Sequence, residues 1–436
     1  MEYKYRPRTK DELKTLCEDE SIYLGDIDTS LITDMSWLFY KSKRQNFNGI
    51  EAWETSNVTN MSHMFFVAEH FNQPIGSWDT SKVENMSEMF LGAKSFNQPI
   101  GSWDTSKVID MSRMFYDAKT FNGDISRWDT SNVDTMQGMF CGAKKFNQNI
   151  GNWNVSHVTA MYEMFSGAKS FNQPIVGWDV SNVTNMRWMF RDAYSFNHPL
   201  DSWNVSNVEN MHGMFAHAKT FNQDISQWDT SKVTNMVCMF LGAESFNQPL
   251  NGWDTSKVTN MAWMFCGAES FNQNIGNWNV SHVTAMYDMF HGAESFNQPI
   301  GGWDVSNVTN MSWMFRGAYS FNQPLDSWDV SNVVYMDGMF QEAISFNQPI
   351  GGWNTSNVTK MTYMFNCADS FNQPLDRWDV SNVKDMRLMF CGAEKFNQGL
   401  KGWQLNTNIR RTDMFRDCPI EKKFRPVRHR KKAVAR

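Results

Sequence analysis

Trp188, Trp263 and Trp313 stand at one and the same place in a recurring phrase of the chain, and Tyr363 and Trp37 share that place. Aromatic rings held outward on a protein surface make good binding anchors: they offer a large contact area and have few rotatable bonds to immobilise. A second set of chemistry-bearing residues is basic. The C-terminal stretch EKKFRPVRHRKKAVAR, 421–436, contains Lys422, Lys423, Arg425, Arg428, Arg430, Lys431 and Lys432. Such a run can hold nucleic acid, an anionic membrane or an acidic protein surface by charge neutralisation. Groupings suited to catalysis do not occur in the sequence. The nine His include no H-E-x-x-H, the seven Cys no Cys-x-x-Cys, and there is no Cys/His cluster at zinc spacing, no phosphate loop and no G-x-S-x-G. The expectation is a protein without catalytic residues, metal ligands or cofactor.

What positions the aromatics is a phrase of 25 residues. FNQPIGSWDTSKVENMSEMFLGAKS, Phe71 to Ser95, returns without insertion or deletion as far as Phe396, and a Trp keeps the same step from Trp78 to Trp403. A fixed period of this length is the signature of a solenoid. Each copy buries its apolar residues against its neighbours, so the invariant letters are explained by packing and the variable ones are left for function.

Within one copy, Val83, Met86, Met89, Phe90 and Ala93 are spaced 3, 3, 1 and 3. That stripe predicts a helix near 82–93, with Ser81 as its cap and Glu84 completing a capping box. Glu88 then faces outward, and its equivalents include Trp37, Trp188, Trp263, Trp313 and Tyr363. Pro74 and its Asp, Asn or Gly replacements predict a turn, followed by a short strand within 75–80 with Ile75 and Trp78 inward. Asn72 and its equivalents are expected to form a ladder between copies. Asp79 and its equivalents are read as helix caps. Bound calcium is the rival reading, less favoured because Asn replaces Asp in several copies and no glycine-rich calcium motif accompanies it.

The predicted fold is therefore α/β: a curved solenoid of about fifteen repeats, leucine-rich-repeat-like, with one short strand and one helix per repeat and an N-terminal helical cap. Strands stack at about 4.8 Å and helices at 8–10 Å, and this difference is expected to bend the rod with its strands inside. The strand face carries small polar residues such as Gly76 and Ser102, which predicts only shallow sites there. Residues 1–46 are assigned to the N-terminal cap and an irregular first repeat, 47–418 to the solenoid and 419–436 to a disordered basic tail. In the cap, RTKDELKTLCEDE at 8–20 predicts a helix with Thr9 as N-cap and Glu12 in a capping box.

A longer period lies over the first. CGAKKFNQNIGNWNVSHVTAMYEMF at 141–165 reappears at 266–290 with three letters changed, an offset of five repeats, as a block duplication would leave it. Net charge is −6, with +7 on residues 421–436 and therefore about −13 on the rest. An acidic rod opposes nonspecific nucleic-acid binding outside the tail. Cys141, Cys266 and Cys391 share one repeat position five copies apart, beyond disulfide reach, so free thiols are expected.

At FNQPIGSWDTSKVxNMSxMFxGAxS the chain resembles the BspA-type leucine-rich-repeat surface protein family of bacteria, the group that includes repeat-bearing mycoplasma surface lipoproteins. RTKDELKTL followed by GDIDTSLITDMSWLF is similar to that family's N-terminal module. The resemblance implies a noncatalytic adhesion or binding role at a cell surface, with a protein or glycan partner. The residues themselves show no export signal, lipoprotein cysteine or membrane-spanning run, which points to the cytoplasm. The alternative reading is accordingly an intracellular scaffold tethered by its basic tail to nucleic acid, an anionic membrane or an acidic partner.

Overall fold

The computed structural model describes residues 3–426, and the chain divides into two compact units, Met1–Asp224 and Ile225–Arg436. Both are stacks of the same 25-residue coil. Among the described residues the repeats contain neither the expected helix nor the expected strand; the α-helix of the chain is α1, Lys10–Glu18, in the N-terminal cap.

The spacing that suggested a helix at 82–93 arises instead from consecutive three-residue turns. Met89 N–H donates to Met86 C=O at 3.3 Å, Leu91 to Glu88 at 3.1 Å and Ala93 to Phe90 at 3.0 Å. Glu88 and Gly92 are left-handed, φ 55° and 69°, and left-handed residues interrupt any right-handed helix. The intervening amides turn outward to the following copy. Met86 donates to Asp110 C=O at 3.0 Å, Glu88 to Ser112 at 2.8 Å, Phe90 to Met114 at 2.9 Å and Gly92 to Tyr116 at 2.7 Å. A helical amide would have bonded four residues back in its own coil; here every second one bonds to the next coil. A periodic apolar stripe cannot separate these two outcomes, because both place residues three apart on one side.

Position 75–80 is likewise a turn rather than a strand, closed by Trp78 N–H on Ile75 C=O at 3.2 Å. Parallel pairing is confined to single bridges such as Asn60↔Asn85↔Asp110 in the first unit and Asn260↔Ala285↔Asn310 in the second. With no helix on one side and no strand on the other, the unequal spacings expected to bend the rod are missing from the repeat.

The core is a set of parallel aromatic columns. Trp78, Trp103 and Trp128 stack with centroids 6.3–6.5 Å apart and planes within 2°. Phe71, Phe96 and Phe121 form a second column at 5.6–5.9 Å, and Phe90 lies face to face with Phe96 at 4.0 Å. The same columns run through the second unit, as in Trp303–Trp328 and Phe271–Phe296. Each Phe is fully buried, which stabilises by about 1.5–3 kcal/mol per ring relative to exposure.

Polar groups of each coil are satisfied by its neighbour. In the Trp column the indole N–H reaches the carbonyl 28 residues earlier, as Trp103 does on Ile75 at 3.0 Å and Trp328 on Ile300 at 3.0 Å. Asn72 Oδ1 accepts from Asn97 N–H at 2.9 Å, and Asn272 from Asn297 at 2.9 Å, so the Asn column is a ladder. Thr80 Oγ1–H donates to Asp104 C=O at 2.8 Å. Asp79 caps a turn, not a helix: its Oδ1 accepts from Ser81 N–H at 3.0 Å. The hydrogen bonds from Ser81 hold the Asp79 carboxyl below its usual range, and Ser306 does the same for Asp304. The Pro74 position keeps its geometry without Pro in the same manner: Asp124 Oδ1 accepts from Ser126 N–H at 2.9 Å and Asn149 Oδ1 from Gly151 N–H at 3.0 Å.

In the cap, Thr9 accepts from Glu12 N–H at 3.3 Å, while the Glu12 carboxylate reaches Arg8 N–H at 2.7 Å. Leu13 and Cys17 of α1 pack inward. The cap is fastened by Arg44, 3% exposed. Its guanidinium donates to the carbonyls of Cys17 at 3.2 Å, Asp19 at 3.0 Å, Asn46 at 2.6 Å and Ile22.

Candidate functional site

The outward position of the repeat is left-handed in every copy, glycine or not: Trp37, His63, Glu88, Arg113, Gly138, Glu163, Trp188 and Gly213 in the first unit, Cys238, Trp263, Asp288, Trp313, Gly338, Tyr363, Leu388 and Asp413 in the second. The left-handed backbone and the ladder bond fix the base of each side chain, and the residue 25 later sets what the side chain rests upon.

In the first unit these side chains form a connected row. Trp37, 38% exposed, stacks on His63 with centroids 3.8 Å apart. His63 Nε2 lies 3.1 Å from a Glu88 carboxylate oxygen, and Arg113 lies 3.4 Å from the other. Burial holds the His63 imidazole below its usual pKa against the opposing pull of Glu88, and its buried Nδ1 has no partner. A neutral ring with Nε2–H turned to Glu88 accounts for both. Further along, Trp188 lies across Gly213 and is flanked by two guanidiniums, Arg187 at 4.2 Å and Arg191 at 4.7 Å.

In the second unit Trp263 meets Tyr287 edge-on at 4.5 Å, and Trp313 lies across Gly338 with Tyr363 tilted at 6.0 Å. The outward tryptophans are thus half-buried plates on the adjacent coil, not rings standing free on a helix. Around Trp313 the surface sinks into an open groove of about 370 Å³, lined by Tyr287, Asp288, Asn310, Ser312, Trp313, Tyr335, Asp337 and Lys360. Tyr335 is 41% exposed, and Lys360 Nζ sits 5.5 Å from its ring. Asp337 accepts from Thr362 Oγ1–H, which orients its carboxylate. Asp288 Oδ1 is 2.9 Å from His291 Nδ1. The groove unites three aromatic faces with two carboxylates and a cation.

Of the residues singled out in the sequence, Trp313 enters this groove; Trp37, Trp188, Trp263 and Tyr363 are not among its lining. Tyr287, Tyr335, Asp337 and Lys360 were missed. A signal for two of them was present: Tyr335 and Lys360 replace the Asn found there at Asn85, Asn185 and Asn310. The opposite turn carries a second hollow, about 390 Å³, lined by Gly76, Pro99, Gly101, Ser102, Asp124 and Arg127.

Residues 419–426 are ordered against the last coil: Ile420 is buried, Leu400 N–H donates to Phe424 C=O at 2.8 Å, and Lys422–Phe424 forms a 3-10 turn. Lys422 and Lys423 are exposed there, and Lys423 pairs with Glu421 at 2.8 Å. Arg425 packs over Phe415 at 5.1 Å. Arg428, Arg430, Lys431 and Lys432 lie outside the described residues.

None of the seven cysteines forms a disulfide. Burial pushes the Cys141 thiol up to about 11 and the Cys266 thiol to about 12, so both are protonated at neutral pH and weak nucleophiles. Among the described residues no group of His, Cys, Asp and Glu could hold a metal ion, and no helix is long and apolar enough to cross a membrane.

Coils joined to their neighbours at a constant offset define a repeat solenoid. The particular family follows from six overlapping matches, residues 13–128, 96–198, 118–224, 176–273, 249–343 and 322–425, to the family described as "Mycoplasma protein of unknown function, DUF285", and the chain belongs to that family. No curated protein matches it. Among solved structures it is similar to "Crystal structure of TLR13-ssRNA13 complex" at 8% identity, covering 87% of this chain and 69% of that one; the TM-score is 0.20, too low to bear on the fold.

Proposed function

We propose that the chain is a noncatalytic binding scaffold for a protein or glycan partner, displayed at a bacterial surface in the manner of the BspA-type and mycoplasma repeat surface proteins that it resembles. The observation that supports this most is the groove around Trp313. Tyr287, Trp313 and Tyr335 offer flat apolar faces, and Asp288, Asp337 and Lys360 offer convergent polar groups. In such a site the aromatic faces supply contact and the placed polar groups fix orientation. A sugar ring fits this chemistry: its C–H face lies on an aromatic ring while its hydroxyls donate to the carboxylates.

The test is a glycan array and a surface-protein pull-down with the whole chain and with Trp313→Ala and Tyr335→Ala. Loss of the captured partner by at least tenfold in both variants, with the fold intact by circular dichroism, is the expected result. Equal capture by all three proteins would remove the groove from the interface. Protease treatment of intact cells tests display: cleavage of the chain supports it, and full protection argues against it.

A further inference from the structure

Along the row 386–392 the amides bond forward to the next coil. Met386, Leu388, Phe390 and Gly392 donate their amides to the carbonyls of Arg410, Thr412, Met414 and Arg416, at 2.7, 3.1, 2.9 and 2.9 Å. The next row of amides belongs to Arg411, Asp413, Phe415 and Asp417, and among the described residues none of them has an acceptor. Asp413 and Asp417 are left-handed, both φ 55°. Main-chain N–H groups left without acceptors at such an edge are ready donors to an anion.

This row opens on a hollow of about 520 Å³ lined by Arg411, Asp413, Met414, Phe415, Arg416, Arg425 and Pro426. Three of the seven are arginines. Arg416 is committed to acid, 3.4 Å from Asp413 and 3.7 Å from Asp417, and this pairing offsets the two carboxylates beside the amides. Arg411 makes no ion pair among the described residues. Arg425 is held in place through Nε–H on Ile420 C=O at 3.2 Å and by the Phe415 ring, leaving its terminal nitrogens without an acidic partner among the described residues. The fold thus leaves main-chain donors and two guanidiniums around one hollow.

We infer that this hollow at the end of the second unit binds an oxyanion of the phosphate or sulfate class, held by the amides of Asp413 and Phe415 and by Arg411 and Arg425. Tetrahedral oxyanions take several N–H donors at once, and the planar guanidinium fork matches two of their oxygens. The site is separate from the groove at Trp313 and stands or falls independently of it.

The experiment titrates inorganic phosphate and, separately, sulfate into the isotopically labelled full chain at constant ionic strength, following amide resonances. Saturable shifts centred on Asp413 and Phe415 are expected, with affinity reduced at least tenfold in Arg411→Gln/Arg425→Gln. A response to phosphate but not sulfate, or the reverse, identifies which ester class is the ligand. The inference is overturned if these amides do not move, if shifts are confined to residues 427–436, or if the double variant binds as tightly as the parent. Should the double variant misfold, Arg411→Lys gives the same reading, since it keeps the charge and loses the fork; affinity unchanged by it excludes the guanidinium role.

Discussion

Trp313 and Gly338 test whether the outward aromatics are held by their neighbours. Gly338 has φ 55°, and a Cβ there would lie 2.0 Å from Trp313 Cε3 and 2.1 Å from Cζ3. Gly338→Ala therefore carries two penalties. A non-glycine residue in the left-handed region costs about 1–2 kcal/mol, and displacing the indole adds about 1–3 kcal/mol of overpacking. In a Trp313→Ala background the second penalty vanishes and only the backbone one remains. The double variant should accordingly be more stable than the sum of the single changes by about 1–3 kcal/mol. A repeat array need not unfold in one step, so the quantity to measure is the local opening free energy of amides in 335–345 by native-state hydrogen exchange. Additive effects within about 0.5 kcal/mol would show that the indole does not rest on Gly338, and the geometry of the whole outward column would fall with it.

Arg44→Met leaves four carbonyls without their donor; it should destabilise the cap by at least about 3 kcal/mol, seen as rapid exchange in α1 and the residues after it. Trp128→Phe removes the indole N–H that Ile100 C=O accepts at 3.1 Å and should cost about 1–3 kcal/mol in urea titrations. Thr105→Val also removes a donor, to Asp129 C=O at 2.8 Å, yet should cost less than about 1 kcal/mol, because Val155, Val180 and Val205 occupy the equivalent place equally buried. The depressed pKa of His63 means that the unfolded chain binds the proton more readily. Its contribution is therefore full above about pH 6.5 and declines as pH falls from there toward the folded-state value. Protection factors around residues 37–66, corrected for the intrinsic pH dependence of exchange, should fall on acidification over that range, and His63→Gln should flatten the response.

The period, the buried columns and the Asn72 ladder could be read from the sequence because they depend only on identity at a fixed offset. The helix and strand could not. Met86, Met89, Phe90 and Ala93 carry a spacing that a helix and a chain of tight turns share, and what decides between them is the backbone sign at positions 88 and 92. That sign was partly legible: position 92 is Gly in Gly92, Gly142, Gly167 and Gly242, but it is also Asp117 and Asp192, and position 88 admits Trp, Glu and Arg. The mates of the tryptophans were legible in retrospect, since Gly213 and Gly338 each follow an outward Trp by one repeat. The groove was not, because Tyr287, Trp313, Tyr335 and Lys360 come from successive coils at three different positions of the phrase. Arg44 gave no sign at all: its four acceptors are main-chain carbonyls, which every residue possesses.

The stacking bonds have a mechanical consequence. Within each unit the bonds that hold a coil in place, such as the amide ladder, the Trp indole link and the Asn97 to Asn72 link, reach only the coil before or after it. A chain pulled from its end would therefore yield by peeling one coil at a time, and the peeled coil would leave the next one as the new edge. Each event would release one 25-residue coil, roughly 85 Å of extended chain, giving an evenly spaced sawtooth in which the clamp at Arg44 marks the strongest tooth of the first unit.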